Sequence, residues 1–479
     1  MAENDLKYKT KQGLYWTFIN QFANTGLSFF VGIIIARLLS PSDYGITALP
    51  AVFIVIANIF IESGFSNAMV RKPDLKDEDL STAFIYSASV GLICYIIIFI
   101  GAPWIANFYN EPILTPLVRV TALSFLWSPL ATPQNIILQR KLDFKTPAKI
   151  VVTTRIISAV VGVTCAYLGY GLWALVAMSV VSSFLNFMLT WLVVKWKPTT
   201  GWSKESFHYL WGFGNKMVGV AIIDCLYNNI APIVIGKFYS VAELGVYNRA
   251  KGYSDLPSVQ GTHVIQQVTF PVLSRLQDNN EALAKNYRRM LKLSSFIIFP
   301  IMTMFAALAK PLIIILLTDK WADSIILLQI LCFAAMWYPI HAINLNLLTV
   351  KGRSDLFLKL EIYKKAIAIT LLACTLPFGL IYFVSAGIVT SFICFFINTY
   401  FTGKLINVGF VTQIKDLLPT FCLSMLVFVV ILSINQFVDI LWEQLIFGGI
   451  AGIVIYLGGA IFFKFGELND VSYMLSRKA

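Results

Sequence analysis

The chain alternates long apolar runs with short polar breaks. Fourteen runs approach or exceed the length of about 20 residues that a helix needs to cross a hydrocarbon layer of about 30 Å. They lie at 14–38, 46–69, 82–106, 115–138, 148–168, 171–194, 209–236, 256–275, 289–309, 322–349, 357–378, 382–403, 416–436 and 442–464. The run at 256–275 is the most polar, with Gln260, His263, Gln266 and Gln267. Such a span persists in lipid when its polar face meets other helices or water. Pro311–Leu317 is too short to cross and reads as a continuation of the helix before it. The widest polar gaps, near 195–208, 237–255 and 276–288, leave no room for a folded extramembrane domain. The pattern predicts an all-α polytopic membrane protein of about fourteen transmembrane helices.

Composition agrees. Of 479 residues, 58% are hydrophobic and 13% charged, against about 25% charged in soluble domains. That excludes a soluble enzyme, a disordered chain and a nucleic-acid module. The net charge of +12 would suggest a nucleic-acid partner in a soluble protein. Here the placement of the charges matters more. With the N-terminus inside, 28 of the 37 Lys and Arg fall in inside segments. Six (Arg37, Lys237, Arg249, Lys251, Lys310 and Lys320) fall outside, and three (Arg119, Arg155 and Lys216) lie within spans. This asymmetry predicts that both termini are cytoplasmic and leaves no surplus for nucleic acid. The polar residues 1–13 lead straight into the first run, which reads as a retained span and not a cleaved leader. The basic stretch Leu6–Lys11 suits an anionic inner leaflet. All seven cysteines lie in apolar stretches and none forms a CxxC pair, so no metal or redox motif is present.

The chain also repeats itself. Ile35-Ala36-Arg37-Leu38-Leu39-Ser40-Pro41-Ser42-Asp43-Tyr44-Gly45 aligns with Ile235-Gly236-Lys237-Phe238-Tyr239-Ser240-Val241-Ala242-Glu243-Leu244-Gly245 at an offset of 200. Arg71 matches Arg275, Pro103 matches Pro311, and Trp127 with Pro129 matches Trp337 with Pro339, at slowly growing offsets. This predicts two parallel six-helix lobes, 1–200 and 201–408, followed by two further helices in 409–479. Parallel repeats place substrate at their interface.

Polar residues within the spans are the candidate site. Thr17, Gln21, Asn24 and Ser28 share one face of the first span at about 100° per residue. Asp224 and Asn228 stand at the repeat-equivalent positions of Asn24 and Ser28. Arg119, Arg155 and Lys216 are cations able to hold a phosphate, although snorkelling would also account for Arg155 and Lys216. Glu62 and Asp224 are carboxylates able to bind a coupling cation, and Glu62 could equally partner an arginine. Hydrogen bonding between helices is the structural alternative for the neutral residues. His263 and His341 read as packing residues. No GxxxxGK[ST], HExxH or GxSxG occurs, so neither ATP drive nor an enzyme is expected. No cofactor is expected beyond a coupling H⁺ or Na⁺.

Gly13-Leu14-Tyr15-Trp16, the Ile35–Gly45 segment, Ile61-Glu62-Ser63-Gly64-Phe65 and Phe270-Pro271-Val272-Leu273-Ser274-Arg275-Leu276-Gln277 resemble the polysaccharide-transporter branch of the multidrug/oligosaccharidyl-lipid/polysaccharide exporter superfamily, near the O-antigen and colanic-acid-type flippases. The resemblance covers nearly the whole chain. It implies a MATE-like pair of lobes in a bacterial inner membrane and an undecaprenyl-pyrophosphate-linked oligosaccharide as cargo. It further implies alternating access driven by an ion gradient, a monomer among membrane lipids, and a polysaccharide polymerase and glycosyltransferases as neighbours in the pathway. Three rivals share features with it: a lipid-linked peptidoglycan precursor flippase, a drug/cation antiporter of the same superfamily, and, from another class, a membrane-embedded polymerase or ligase. The last would want a large outer loop, which the spacing does not provide.

Overall fold

The computed structural model describes residues 3–62 and 65–470, and within them all side chains except those of 3–15, 17–20, 22, 67, 213–217, 264 and 268. No strand occurs among the described residues. Contacts divide the chain into two compact units, 1–245 and 246–479. The first begins with α1 (Glu3–Leu38), α2 (Pro41–Ala48), α3 (Ala51–Glu62), α4 (Phe65–Arg71), α5 (Asp77–Tyr109) and α6 (Leu114–Ala122). It continues with α7 (Ser124–Trp127), α8 (Thr132–Arg140), α9 (Lys145–Tyr167), α10 (Trp173–Val194), α11 (Lys204–Asn228) and α12 (Ile230–Phe238). Then follow α13 (Val241–Asp255), α14 (Gly261–Ser274), α15 (Asn280–Ala307), α16 (Ala309–Leu317) and α17 (Ser324–Ala335). The last five are α18 (Tyr338–Val350), α19 (Ser354–Thr375), α20 (Leu380–Ile406), α21 (Phe410–Phe437) and α22 (Leu441–Phe462).

Helix covers each of the fourteen expected segments. Ten helical stretches are long and apolar enough to cross a membrane, and α11 with α12, bent by 45°, makes an eleventh if it is one span. The remaining three places are occupied by α1, α13 with α14, and α19. The helix α19 carries Lys359, Glu361, Lys364 and Lys365, and α13 joins α14 through a π-helical turn at Leu256–Gln260. The protein is a multi-pass membrane protein.

The repeat offset reappears in the backbone. Of the ten residues with positive φ among those described, eight form four pairs at helix ends. The pairs are Asn110 and Thr318, Leu142 and Gly352, Gly169 and Gly379, and Lys195 and Asn407. Lys195 and Asn407 are both left-handed C-caps, which satisfy the last carbonyls of a helix; Asn110 is one too, while its match Thr318 has an extended ψ of 173°. The starts agree too. Ser40 Oγ accepts from the Asp43 N–H at 3.2 Å while Asp43 accepts from the Ser40 N–H at 2.9 Å. Ser240 and Glu243 do the same at 3.1 and 2.8 Å. The matched Ser-x-x-acid motif is therefore a capping box.

Two cations of the polar loops close helix ends in the same way. Arg140 donates to the carbonyls of Met69 (3.0 Å), Pro73 (2.8 Å) and Lys72, just past α4. Lys351 donates to the Gln277 carbonyl and Asn280 Oδ1 past α14. Arg140→Ala is expected to destabilise the protein by about 1–3 kcal/mol, because these carbonyls lose a charged donor. Thermal unfolding in detergent checks this, with the neighbouring Lys141→Ala as reference; equal midpoints for the two variants would take Arg140 out of the cap.

Packing assigns α11 to the first unit. Its Leu210 is buried with Phe65, Ala68, Met69, Leu80, Ala83 and Ile136, and α11 also packs on α3 and α5. The contact boundary thus falls between Gly245 and Val246, while the repeat begins again near residue 200. The structure also revises the inventory of charges. Lys364, counted above with an inside loop, is only 8% exposed in α19 and pairs with Glu361 at 2.5 Å. It lies ten residues, about 15 Å, into its helix. A count of charges groups Lys364 on the inside with its neighbours Lys359 and Lys365, although all three fall in the run 357–378.

Candidate functional site

The first unit contains a cavity of about 740 Å³ whose wall is mostly polar. Three of its walls come from sequence periodicity. Along α10, Ser179, Ser182, Ser183 and Asn186 recur at i, i+3, i+4 and i+7, one face of a helix. Along α9, Val151, Thr154 and Arg155 share a face. The third wall is the stretch Ser128, Ala131, Thr132 and Asn135. Glu62, the last residue of α3, and Ser66, in the first turn of α4, complete it.

Local chemistry holds this wall in place. The chain between α7 and α8 narrows to a 3₁₀ turn at Ser128–Ala131, entered through Pro129. The Leu130 carbonyl lies in this turn. Trp191 Nε1 on α10 donates to it at 2.9 Å, and Trp127 Nε1 donates to Ser183 Oγ at 2.8 Å. Two indoles therefore bind the broken segment to α10. On the other side Gly91 of α5 allows close approach: a Cβ there would stand 2.4 Å from the Phe125 carbonyl oxygen and 2.8 Å from the Pro129 ring.

Electrostatically the cavity has one guanidinium, Arg155, and one carboxylate, Glu62. Both are exposed to it, and they form no ion pair with each other. Among the described residues the Arg155 guanidinium has no hydrogen-bond or ion-pair partner, which leaves its N–H donors to a ligand. Thr154, 2% exposed, has a hydroxyl without a hydrogen-bond partner, a further polar group in the wall.

The other sequence candidates lie elsewhere. Arg119 donates from Nε to the Phe99 carbonyl at 3.2 Å, its guanidinium 4.3 Å from the Phe99 ring centroid. It is not part of this cavity's wall. Gln21 is exposed on α1, and Asn24 is half-buried with an Oδ1 that has no partner. Asp224 and Asn228 are exposed in the last two turns of α11, before its break. The Lys216 side chain lies outside the described residues. Of the eight candidates the structure brings Glu62 and Arg155 together. The α10 serine stripe and the Ser128–Asn135 wall were missed, although the period of the stripe was visible; single serines in an apolar helix also serve as ordinary packing residues.

A larger cavity, about 950 Å³, lies in the second unit among Lys285, Arg288, Arg289, Lys292, Glu467 and Asp470. Its cations are largely neutralised. Arg288 is bidentate to Asp416 at 2.6 and 2.8 Å, Lys292 lies 3.4 Å from the same carboxylate, and Arg289 is paired with Asp470. The Arg289 guanidinium holds the Asp470 carboxyl below the usual carboxylate range. A ligand anion there would first have to displace carboxylates, so the smaller cavity with its unpaired arginine is the better anion site. Among the described residues no cluster of His, Cys, Asp and Glu is suited to a metal ion.

A family model described as polysaccharide biosynthesis protein matches residues 34–326, more than half of the chain. The chain belongs to this family. Within curated proteins this polysaccharide biosynthesis family member is 24% identical over 352 residues to teichuronic acid biosynthesis protein TuaB of Bacillus subtilis (strain 168), covering 72% of this chain and 73% of the relative. It is 22% identical over 365 residues to lipopolysaccharide biosynthesis protein WzxC of Escherichia coli (strain K12), covering 75% and 73%. Among solved structures it shares the fold of the lipid II flippase MurJ in an inward closed conformation, with a TM-score of 0.75, 17% identity and coverage of 94% of this chain and 99% of that one. An inward-facing multidrug resistance MATE family transporter of the MOP superfamily follows at 0.60, with 16% identity and coverage of 83% and 100%. At such identities the likeness is one of fold, and it agrees with the superfamily expected from the sequence.

Proposed function

We propose that this polysaccharide biosynthesis family member carries an undecaprenyl-pyrophosphate-linked oligosaccharide across the bacterial inner membrane, from inner to outer leaflet, by alternating access. The observation that carries the reading is the first-unit cavity. It combines one unpaired guanidinium with hydroxyls and amides on three sides, the chemistry that meets a phosphate and sugar hydroxyls together. Family membership supports it, as do the biosynthetic roles in the names of its relatives, among them a succinoglycan biosynthesis transport protein of Rhizobium meliloti that is 24% identical over 310 residues.

In this reading Arg155 holds the pyrophosphate, with Lys216 and Arg119 as further cations along its path. Gln21, Asn24 and Asn228 hydrogen-bond the sugars, and the polyprenyl tail stays in apolar surroundings. Glu62 or Asp224 binds the coupling H⁺ or Na⁺. No covalent step is assigned to the chain: glycosyltransferases build the cargo inside and a polymerase consumes it outside. A drug/cation antiporter would want an acidic or apolar cavity, and the free arginine speaks against it. The fold alone does not separate the cargo from a lipid-linked peptidoglycan precursor; the relatives' names favour the polysaccharide unit.

Deleting the chain from its host is expected to stop surface-polysaccharide export and to leave lipid-linked repeat units on the inner leaflet. Normal surface polysaccharide would overturn the reading. The N-inside topology has its own test. A cysteine at Asp74 should be labelled only from the cytoplasm and one at Asn110 only from outside; the opposite pattern would reverse the orientation.

A further inference from the structure

The break between α11 and α12 sits beside an apolar groove that the cavity above does not include. The groove encloses about 410 Å³ in the first unit and is lined wholly by apolar and aromatic residues, among them Val52, Ile56, Trp104, Phe108, Leu226 and Ile233. That volume is within the range of about 300–1,000 Å³ usual for ligand pockets. At the break Asn229 caps α11: its Nδ2 donates to the Cys225 carbonyl at 2.8 Å, beside its own backbone N–H at 3.0 Å. The bend of 45° falls between Leu226 and Ile233, two residues of the groove.

One cation stands at the rim. The Lys237 ammonium donates to the Phe108 carbonyl and lies 4.7 Å from the Phe108 ring centroid. No carboxylate among the described residues pairs with it, and an ammonium has three donors, so two remain for a ligand. An apolar channel with a cation at its mouth that has no carboxylate partner among the described residues matches a lipid that carries phosphate charge, as phosphate or pyrophosphate, at the end of a long apolar chain.

We propose that this groove holds the chain of a polyprenyl phosphate lipid, with the phosphate at Lys237. The proposal rests on the lipid-linked cargo reading and adds a place for the lipid at one step of its passage. On the N-inside topology the groove opens at the outer end of α5, where a translocated lipid would pause before release.

The test uses the full chain in neutral phosphatidylcholine vesicles and a polyprenyl phosphate with a photoreactive group on its chain. Crosslinks are expected in the peptides that contain Trp104–Phe108 and Leu226–Ile233. Filling the groove by Ile56→Trp or Ile233→Trp should cut the yield severalfold at an unchanged melting temperature. Lys237→Gln, whose amide can still donate to the Phe108 carbonyl, should weaken capture about tenfold, as expected for one charge-assisted hydrogen bond, with the melting temperature read alongside. It should leave capture of the uncharged polyprenol unaltered. Crosslinks scattered over the other helices, or equal competition by phosphatidylglycerol, would overturn the proposal, the second by making this a general anionic-phospholipid site. If the unchanged chain translocates lipid-linked oligosaccharide while the groove stays unlabelled, the groove assignment fails and the flippase reading stands. If the groove is labelled but nothing is translocated, the reverse holds.

Discussion

Arg155→Ala should lower export of lipid-linked oligosaccharide by roughly tenfold to a hundredfold while the protein accumulates and melts as before. The magnitude follows from hydrogen bonds to a charged group, which contribute about 1.5–3 kcal/mol, and from the tenfold change that each ~1.4 kcal/mol makes in an equilibrium. Folding should be spared because the guanidinium is exposed in the cavity and makes no ion pair among the described residues. Arg155→Lys should recover only part of the activity, since an ammonium keeps the charge and loses the planar fork that meets two phosphate oxygens at once. Glu62→Gln separates the roles of the two groups. If Glu62 binds the coupling cation, this variant should still bind cargo in vesicles yet lose its response to an imposed ion gradient. Export by Arg155→Ala at the level of the unchanged chain would sink the anion-cavity mechanism.

Gly45→Ala and Gly245→Ala should each be among the most damaging single-methyl additions in the protein. The two glycines belong to the matched motif, five residues past the capping serines, and they meet. A Cβ on Gly45 would stand 1.8 Å from the Val241 carbonyl oxygen, and one on Gly245 would stand 1.9 Å from that of Pro41. Both obstacles are backbone, so no rotamer relieves them and the two helix starts must move apart. Overpacking typically costs about 1–3 kcal/mol, and rigid backbone against backbone belongs at the upper end or beyond. Thermal unfolding and expression level measure the effect. Gly26→Ala and Gly101→Ala are the controls, because nothing lies within 4 Å of a Cβ at either position. If all four variants melt alike, the close approach of the two motifs is not required for stability.

The same motif shows how much was legible beforehand. Its serine and acid could be matched across 200 residues, and a capping box can be inferred from the Ser-x-x-acid spacing alone. Its glycine could be matched but not explained, because the reason is a carbonyl oxygen about 200 residues away in the chain. Arg140 and Lys351 follow the same division. Both stand at polar breaks that the sequence shows, but their use as caps on helices α4 and α14 depends on how those ends approach. Lys364 went the other way: counted among the inside cations, it is buried in α19 against Glu361.

By itself the sequence determined the helical class, the approximate places of the spans, the repeat and the family. Each of these follows from the price of exposing backbone and charge to lipid, which acts on every residue locally. Tertiary structure decided which polar groups share a space. Arg155 and Glu62 were two candidates among eight until α3 and α9 brought them to one cavity, and Arg119, equally buried on sequence grounds, turned to Phe99. It also decided that α11 packs with the first unit and that Lys237 stands over an apolar groove. These outcomes depend on contacts between residues 20 to 145 positions apart, and no local period or count of charges contains them.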